Sequence, residues 1–132
     1  MIITKGIRQP SVGVSILDCD HREMDEAFKE LHAEITTRAR QSQAGYLLRG
    51  LAKFTLIHFA LEEGMMEVTK YPMINRHRTN HRHLMQQMNG LVSQHSKDGL
   101  TPDLQRLNAL ILLSHEHIEA DDSYYGNWLN RA

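Results

Sequence analysis

Apolar residues recur at steps of three and four along most of this chain. His21, Met24, Phe28, Leu31 and Ile35 make a first stripe, the period of an amphipathic helix. Arg22, Glu26, Lys29 and Glu30 fall on the opposite side and are expected to be wet. A second stripe reads Leu47, Leu51, Phe54, His58, Leu61 and Met65, and a third reads His77, His81, Leu84, Met88 and Leu91. In a fourth, Leu107, Leu110, Ser114, His117 and Asp121 share one row, with Ile111, Ile118 and Asp122 in the next. Breakers separate the stripes. Residues 41–45 read as a short connection, and Lys70-Tyr71-Pro72 ends the second helix. Gly99 is a helix stop, and Thr101-Pro102 supplies a cap followed by proline at the first helical position. Residues 1 to about 17 show no helical period and read as an extended arm, with Asp18 or Asp20 placed to cap the first helix. No segment alternates for long enough to predict a strand. The expected fold is all-α, an up-down-up-down four-helix bundle with an extended N-terminal arm, formed as one domain over residues 1–132.

Composition narrows the class without changing the fold. The chain is long enough for one domain with a core and too short for two. With 41% hydrophobic and 23% charged residues it is an ordinary globular mixture rather than a disordered one. A formal net charge of −1 offers no basic surface for nucleic acid or anionic lipid. The longest apolar run, Ala109 to Leu113, is far too short to span a bilayer. The single cysteine, Cys19, excludes an internal disulfide and leans towards a reducing compartment. A cytoplasmic location with no membrane partner is expected.

Histidine is the outlier, at nine residues. His58 with Glu62, and His77 with His81, are spaced four apart, so each pair stacks on one helix face and can aim two donors at one spot. The turn at Tyr71-Pro72 folds these two helices antiparallel, so the pairs face each other. His21 lies in phase with the first apolar stripe, and the fourth helix adds His117 with Asp121 or Asp122. Five imidazoles and two carboxylates are too many for one ion. They suit two transition-metal ions if both carboxylates bridge, since buried charge must be paired. Helical geometry alone favours Asp121 over Asp122. The remaining histidines fit no pair: His32, His83 and His95 are expected at the surface, and His115 beside the site or at the surface, not as a ligand. Met65, Met66, Met85 and Met88 read as core filler. Tyr124, Tyr125 and Trp128 are expected to pack the C-terminal tail against the bundle.

The motifs LDCDH at 17–21, HFALEEGMM at 58–66, YP followed by HRTNH at 77–81, and HIEADDSYYG at 117–126 agree in type, order and spacing with one family. Nearly the whole chain resembles the hemerythrins, in particular their single-domain bacterial members. The resemblance implies a non-haem di-iron centre with a bridging oxo or hydroxo group. It assigns His77, His81 and His117 to one iron, His21 and His58 to the other, and Glu62 and Asp122 to the bridge. A five-residue step from histidine to aspartate in the family selects Asp122. Dioxygen would bind as hydroperoxide at the two-histidine iron, for carriage, storage or delivery, in a protein that is not an enzyme. A separate redox or oxygen-consuming protein is the implied partner.

One departure bears on that function. Ser114 stands one turn before His117, where the family places a large apolar residue, and with Ile118 it is expected to line the oxygen pocket. A hydroxyl there would admit water. The alternative is therefore a di-iron enzyme acting on peroxide, nitric oxide or oxygen, or a sensor of oxygen or iron.

Overall fold

A computed structural model describes residues 11–37, 41–98 and 102–131. Four long helical segments account for nearly all of them. Helix α1 is Ser15–Thr37, α2 is Gln41–Val68, α3 is Ile74–Asp98 and α4 is Leu104–His117. A five-residue π-helical turn, Ile118–Asp122, joins α4 to α5, Ser123–Leu129, so the fourth segment is one rod with a widened turn in it. Each segment packs against its neighbours around a ring, α1 on α2, α2 on α3, α3 on α4 and α4 on α1. This is the up-down-up-down bundle that the stripes predict. Among the described residues no helix is long and apolar enough to cross a membrane.

Several boundaries differ from the sequence reading. Helix α1 starts at Ser15, so Asp18 sits in its first turn. There its carboxylate accepts hydrogen bonds from the Val12 amide and the Ser11 hydroxyl, both at 2.8 Å. The expected connection at 41–45 is the first turn of α2, and Leu61, placed in the apolar stripe, is 37% exposed. The buried face of α2 instead runs through Leu48, Leu51, Ala52, Thr55, Phe59 and Met66. Helix α2 ends at Val68. Lys70 adopts φ 59°, and the amides of Tyr71 and Lys70 turn back to the carbonyls of Met66 and Glu67. That pairing satisfies the last carbonyls before Pro72 directs the chain into α3. The cap of α4 is Asp103, which accepts from the Gln105 amide at 2.9 Å. Gly99, Thr101 and arm residues 1–10 lie outside the described residues.

Two apolar clusters fill the bundle. Phe28, Leu31, Leu48, Leu51, Leu84, Met88, Leu91, Leu107 and Ile111 belong to the larger one. Val12, Leu17, Met66, Tyr71, Ile118 and Tyr125 form the smaller one at the other end. Met65 and Met85 pack against these clusters from the side. Tyr125 and Trp128 pack on Tyr71 as expected of the tail, whereas Tyr124 is 62% exposed.

The described end of the arm closes the smaller cluster. Val12 is buried, Gly13 takes φ 77°, and Asn130 Nδ2 donates to the Gly13 carbonyl at 2.9 Å. The backbone of Val12 lies so close to α5 that a Cβ on Gly126 would stand 1.7 Å from its carbonyl oxygen. Glycine at 126 is therefore a condition of closure. Gly126→Ala should displace residues 11–13 and cost about 1–3 kcal/mol of stability, as overpacked sites do. A thermal melt of the variant checks this, and an unchanged midpoint would mean the arm does not seal that end.

Candidate metal centre

All four helical segments send buried polar groups into the zone between the two clusters. His21 comes from α1, His58 and Glu62 from α2, His77 and His81 from α3, and His117 from α4. Asp122 closes the π-turn. Each of these seven residues is at most 6% exposed, and Glu62 is 0% exposed.

The π-turn explains why the residue five positions after His117 faces inward. In a regular α-helix the residue four positions on would share His117's face. The extra residue per turn rotates Asp121 outward and brings Asp122 to the centre. Asp122 Oδ1 lies 3.1 Å from His117 Nε2, while Asp121 Oδ2 accepts from the opposite ring nitrogen, Nδ1, at 3.0 Å. Both aspartates thus serve the same imidazole from opposite sides.

Glu62 and Asp122 each divide their two oxygens between two sets of histidines. Glu62 Oε1 meets His77 Nε2 at 2.5 Å and His81 Nε2 at 3.0 Å, and Oε2 lies 3.4 Å from His58 Nε2 and 3.9 Å from His21 Nε2. Asp122 Oδ1 faces His77 at 2.8 Å and His117 at 3.1 Å, and Oδ2 faces His21 at 3.1 Å. Two donor groups result among the described residues: Glu62, His77, His81, His117 and Asp122 in one, and His21, His58, Glu62 and Asp122 in the other. Within each group the donor atoms all lie within 4.8 Å of one another, close enough to surround a metal ion.

The chemistry of this donor set fits a metal. Nε2 of His21, His58 and His117, Oε2 of Glu62 and both oxygens of Asp122 are buried without a hydrogen-bond partner. Orphaned polar atoms are costly in an apolar core, and these converge as ligands do. Without a cation the acids and imidazoles compensate one another. Burial and the Asp122 charge oppose ionisation of Glu62, yet the facing imidazole of His58 and hydrogen bonds from His77 and His81 hold its carboxyl at about 2. Burial likewise opposes ionisation of Asp122, and the His117 charge and the close-facing imidazoles of His117, His21 and His77 hold it well below the usual range. Burial also opposes protonation of His117, but the charge of the facing Asp122 and the hydrogen bond to Asp121 raise it to about 10. A cation held by these residues would replace those protons, coupling metal loading to proton release.

Three acidic residues orient the rings from outside, and sequence periodicity did not single out Asp20 or Glu63 for this role. His58 Nδ1 donates to Asp20 at 2.9 Å, His81 Nδ1 to Glu63 at 2.8 Å, and His117 Nδ1 to Asp121. Such contacts fix the tautomer that turns Nε2 inward. The signal in the sequence is adjacency: Asp20 precedes His21, Glu63 follows Glu62 and Asp121 precedes Asp122. Phe59 also stacks on His81 with ring centroids 3.8 Å apart.

The other histidines divide differently from expectation. His83 is exposed and His95 partly buried. His32 is only 2% exposed, because it faces the core from α1 two turns beyond Met24. His115 is buried too, with Nε2 3.4 Å from Asp25 Oδ1, and Asp25 in turn pairs with Lys29 at 3.0 Å. Ser114 and Ile118 are both buried, and Ile118 belongs to the smaller apolar cluster. Cys19 is free and exposed.

The profile of the Hemerythrin HHE cation binding domain matches residues 12–129. The chain belongs to the hemerythrin family. It is 31% identical over 71 residues to a protein named bacteriohemerythrin from Stenotrophomonas maltophilia (strain R551-3). That match covers 54% of this chain and 46% of the relative, so it spans just under half of the relative's length. No solved structure matches. The four segments of this hemerythrin bundle thus carry a histidine and carboxylate cluster able to hold metal.

The two aspartates of the π-turn give this geometry a direct test. Asp122→Asn should remove metal from both groups, whereas Asp121→Asn should lower affinity by about 10–100-fold, as loss of an orienting carboxylate does. Competitive chelator titration measures both. Equal effects would show that the turn does not separate their roles.

Proposed function

We propose that residues 1–132 form one di-iron domain that binds dioxygen reversibly. The observation that carries this reading is the division of each buried carboxylate between two histidine sets. His77, His81 and His117 would hold one iron and His21 and His58 the other, with Glu62 and Asp122 shared between them and a solvent-derived oxo or hydroxo bridge. Imidazole and carboxylate donors suit iron, and family membership supports non-haem iron and a diatomic ligand. Two ferrous ions would supply the two electrons that dioxygen takes up. The set of two histidines leaves more of its ion's coordination sphere to a small molecule than the set of three. Asp20, Glu63 and Asp121 would hold the imidazoles in place through the cycle, and the apolar clusters on either side would limit water.

A second reading, turnover of oxygen or peroxide rather than carriage, has an observation in its favour. The wall next to His117 is polar: Ser114 is buried, and the adjacent His115 faces Asp25 on α1. A buried hydroxyl can hold water or donate a hydrogen bond where an apolar residue can do neither. Ser114, with Ile118, is proposed to line the small-molecule pocket, and its hydroxyl to shorten the life of the oxygenated state.

Anaerobic loading with ferrous iron, followed by oxygen under an optical spectrometer, tests both readings. The expected outcome is two irons per chain and an oxygen-dependent charge-transfer band. One iron per chain, or no oxygen-dependent spectrum, would overturn the proposal. Ser114→Leu should retain both irons and lengthen the life of that band by about tenfold, a barrier change of about 1.4 kcal/mol. An unchanged or shorter lifetime in an iron-loaded variant would remove Ser114 from the pocket.

A further inference from the structure

The outward face of α2 is unusually apolar for a surface helix. Ile57 is 60% exposed, Val68 84% and Tyr46 72%. At 3.6 residues per turn these three fall almost on one line along the helix. Gly50 and Gly64 lie on the same line, both exposed, and a Cβ at either would meet nothing within 4 Å. Leu61, 37% exposed, borders it on one side. Gly50, Ile57 and Gly64 are seven residues apart, as are Tyr46, Lys53 and Ala60, the spacing of a seam between two helices that cross at a shallow angle.

This stripe is symmetric about its own midpoint. Counting outward from Ile57, Gly50 is matched by Gly64 and Tyr46 by Val68, while Lys53 is matched by Leu61. A twofold axis at Ile57, perpendicular to the helix, sets each member of a pair beside the other member in a second copy. Self-complementarity of this kind is what an isologous dimer requires. The glycines would let the two helices approach at the short end of the usual range of about 8–10 Å. The stem of Lys53 would lie along the partner copy's leucine at 61, with its ammonium in solvent.

Charge agrees with the same arrangement. Arg49 and Lys53 lie on one flank of the stripe in its N-terminal half, and Glu67 lies on that same flank in the C-terminal half. The proposed axis returns this flank to itself with its ends reversed, so basic residues of one copy meet the acidic residue of the other. Glu67 is 73% exposed, its contact with Arg78 is 3.5 Å long, and it can turn to a new partner. A parallel pairing would instead set like charges side by side.

We infer that the outer face of α2 is a homodimer interface, in which two copies of this chain pack antiparallel about a twofold axis at Ile57. The contact is a single helix face about 33 Å long at 1.5 Å per residue. That is small for a specific interface, so the dimer should be concentration-dependent, with Kd of about 1–100 µM.

Sedimentation equilibrium of the iron-loaded chain, residues 1–132, over that range tests the proposal, with a monomer-dimer equilibrium as the expected result. Ile57→Lys would place two ammonium groups at the axis and should raise Kd at least about tenfold. The residue is exposed, so a metal content and helical spectrum equal to wild type will show that the fold is intact. Arg49→Glu should weaken the dimer, and adding Glu67→Arg should restore it. Register is read by oxidative cross-linking in a Cys19→Ser background. Ile57→Cys should cross-link to itself, and Tyr46→Cys should cross-link only when mixed with Val68→Cys. A monomer at every concentration, a dimer indifferent to Ile57→Lys, or Tyr46→Cys cross-linking readily to itself would each overturn the inference.

Discussion

Two carboxylates, Glu62 and Asp122, lie buried side by side in the middle of a helical bundle, and everything around them is arranged to make that tolerable. Each is almost wholly removed from solvent, and the charge on Asp122 disfavours ionisation of Glu62. A lone buried carboxylate in such a place would take up a proton. Here five imidazoles, drawn from all four helical segments, keep both acids ionised. No single helix could supply that compensation, so the cluster ties the four segments together. It also divides the apolar core into two clusters that seal the polar zone from either end. A metal bound to these donors would take over the same role, so one geometry would serve both the metal-free and the metal-bound protein.

The pairs His58–Glu62 and His77–His81 were legible in the sequence because both sit on regular helix, where a spacing of four guarantees a shared face. His21 was legible because it keeps step with an apolar stripe. Asp122 could not be derived from periodicity. A π-turn changes the period locally, and nothing in the residues Ile118 to Asp122 announces it; only the family spacing pointed to that position. The bundle itself was legible from four stripes and their breakers, but the boundaries were not. At the start of α2 polar residues that resemble a loop form helix, and at α4 the capping role falls to Asp103 after Pro102. His32 and His115 were placed wrongly or left open because a histidine beside an apolar stripe carries no sign of its burial. The stripe on α2 failed for a related reason: apolar residues occupy both its inner and outer faces, and periodicity alone cannot say which one turns to the core.

That double-sided character links stability to assembly. The inner face of α2 delivers His58 and Glu62 to the centre, and the outer face offers a symmetric, glycine-lined seam to a second copy. The polar wall on α4 has a different origin and a different consequence. Ser114 and His115 on α4 and Asp25 on α1 are buried polar residues, and such side chains beside His117 would trade some sealing for hydrogen-bonding capacity. Storage favours a dry wall, and turnover favours a wet one.

The central claim is that Glu62 and Asp122 hold two metal ions between unequal sets of histidines. Anomalous diffraction at the iron absorption edge, from crystals of the iron-loaded protein, tests it most directly. The account predicts two anomalous peaks, one bounded by His77, His81 and His117 and the other by His21 and His58, with both carboxylates reaching each peak and the π-turn intact. A single peak, or two peaks with Asp121 in place of Asp122 at the centre, would contradict it.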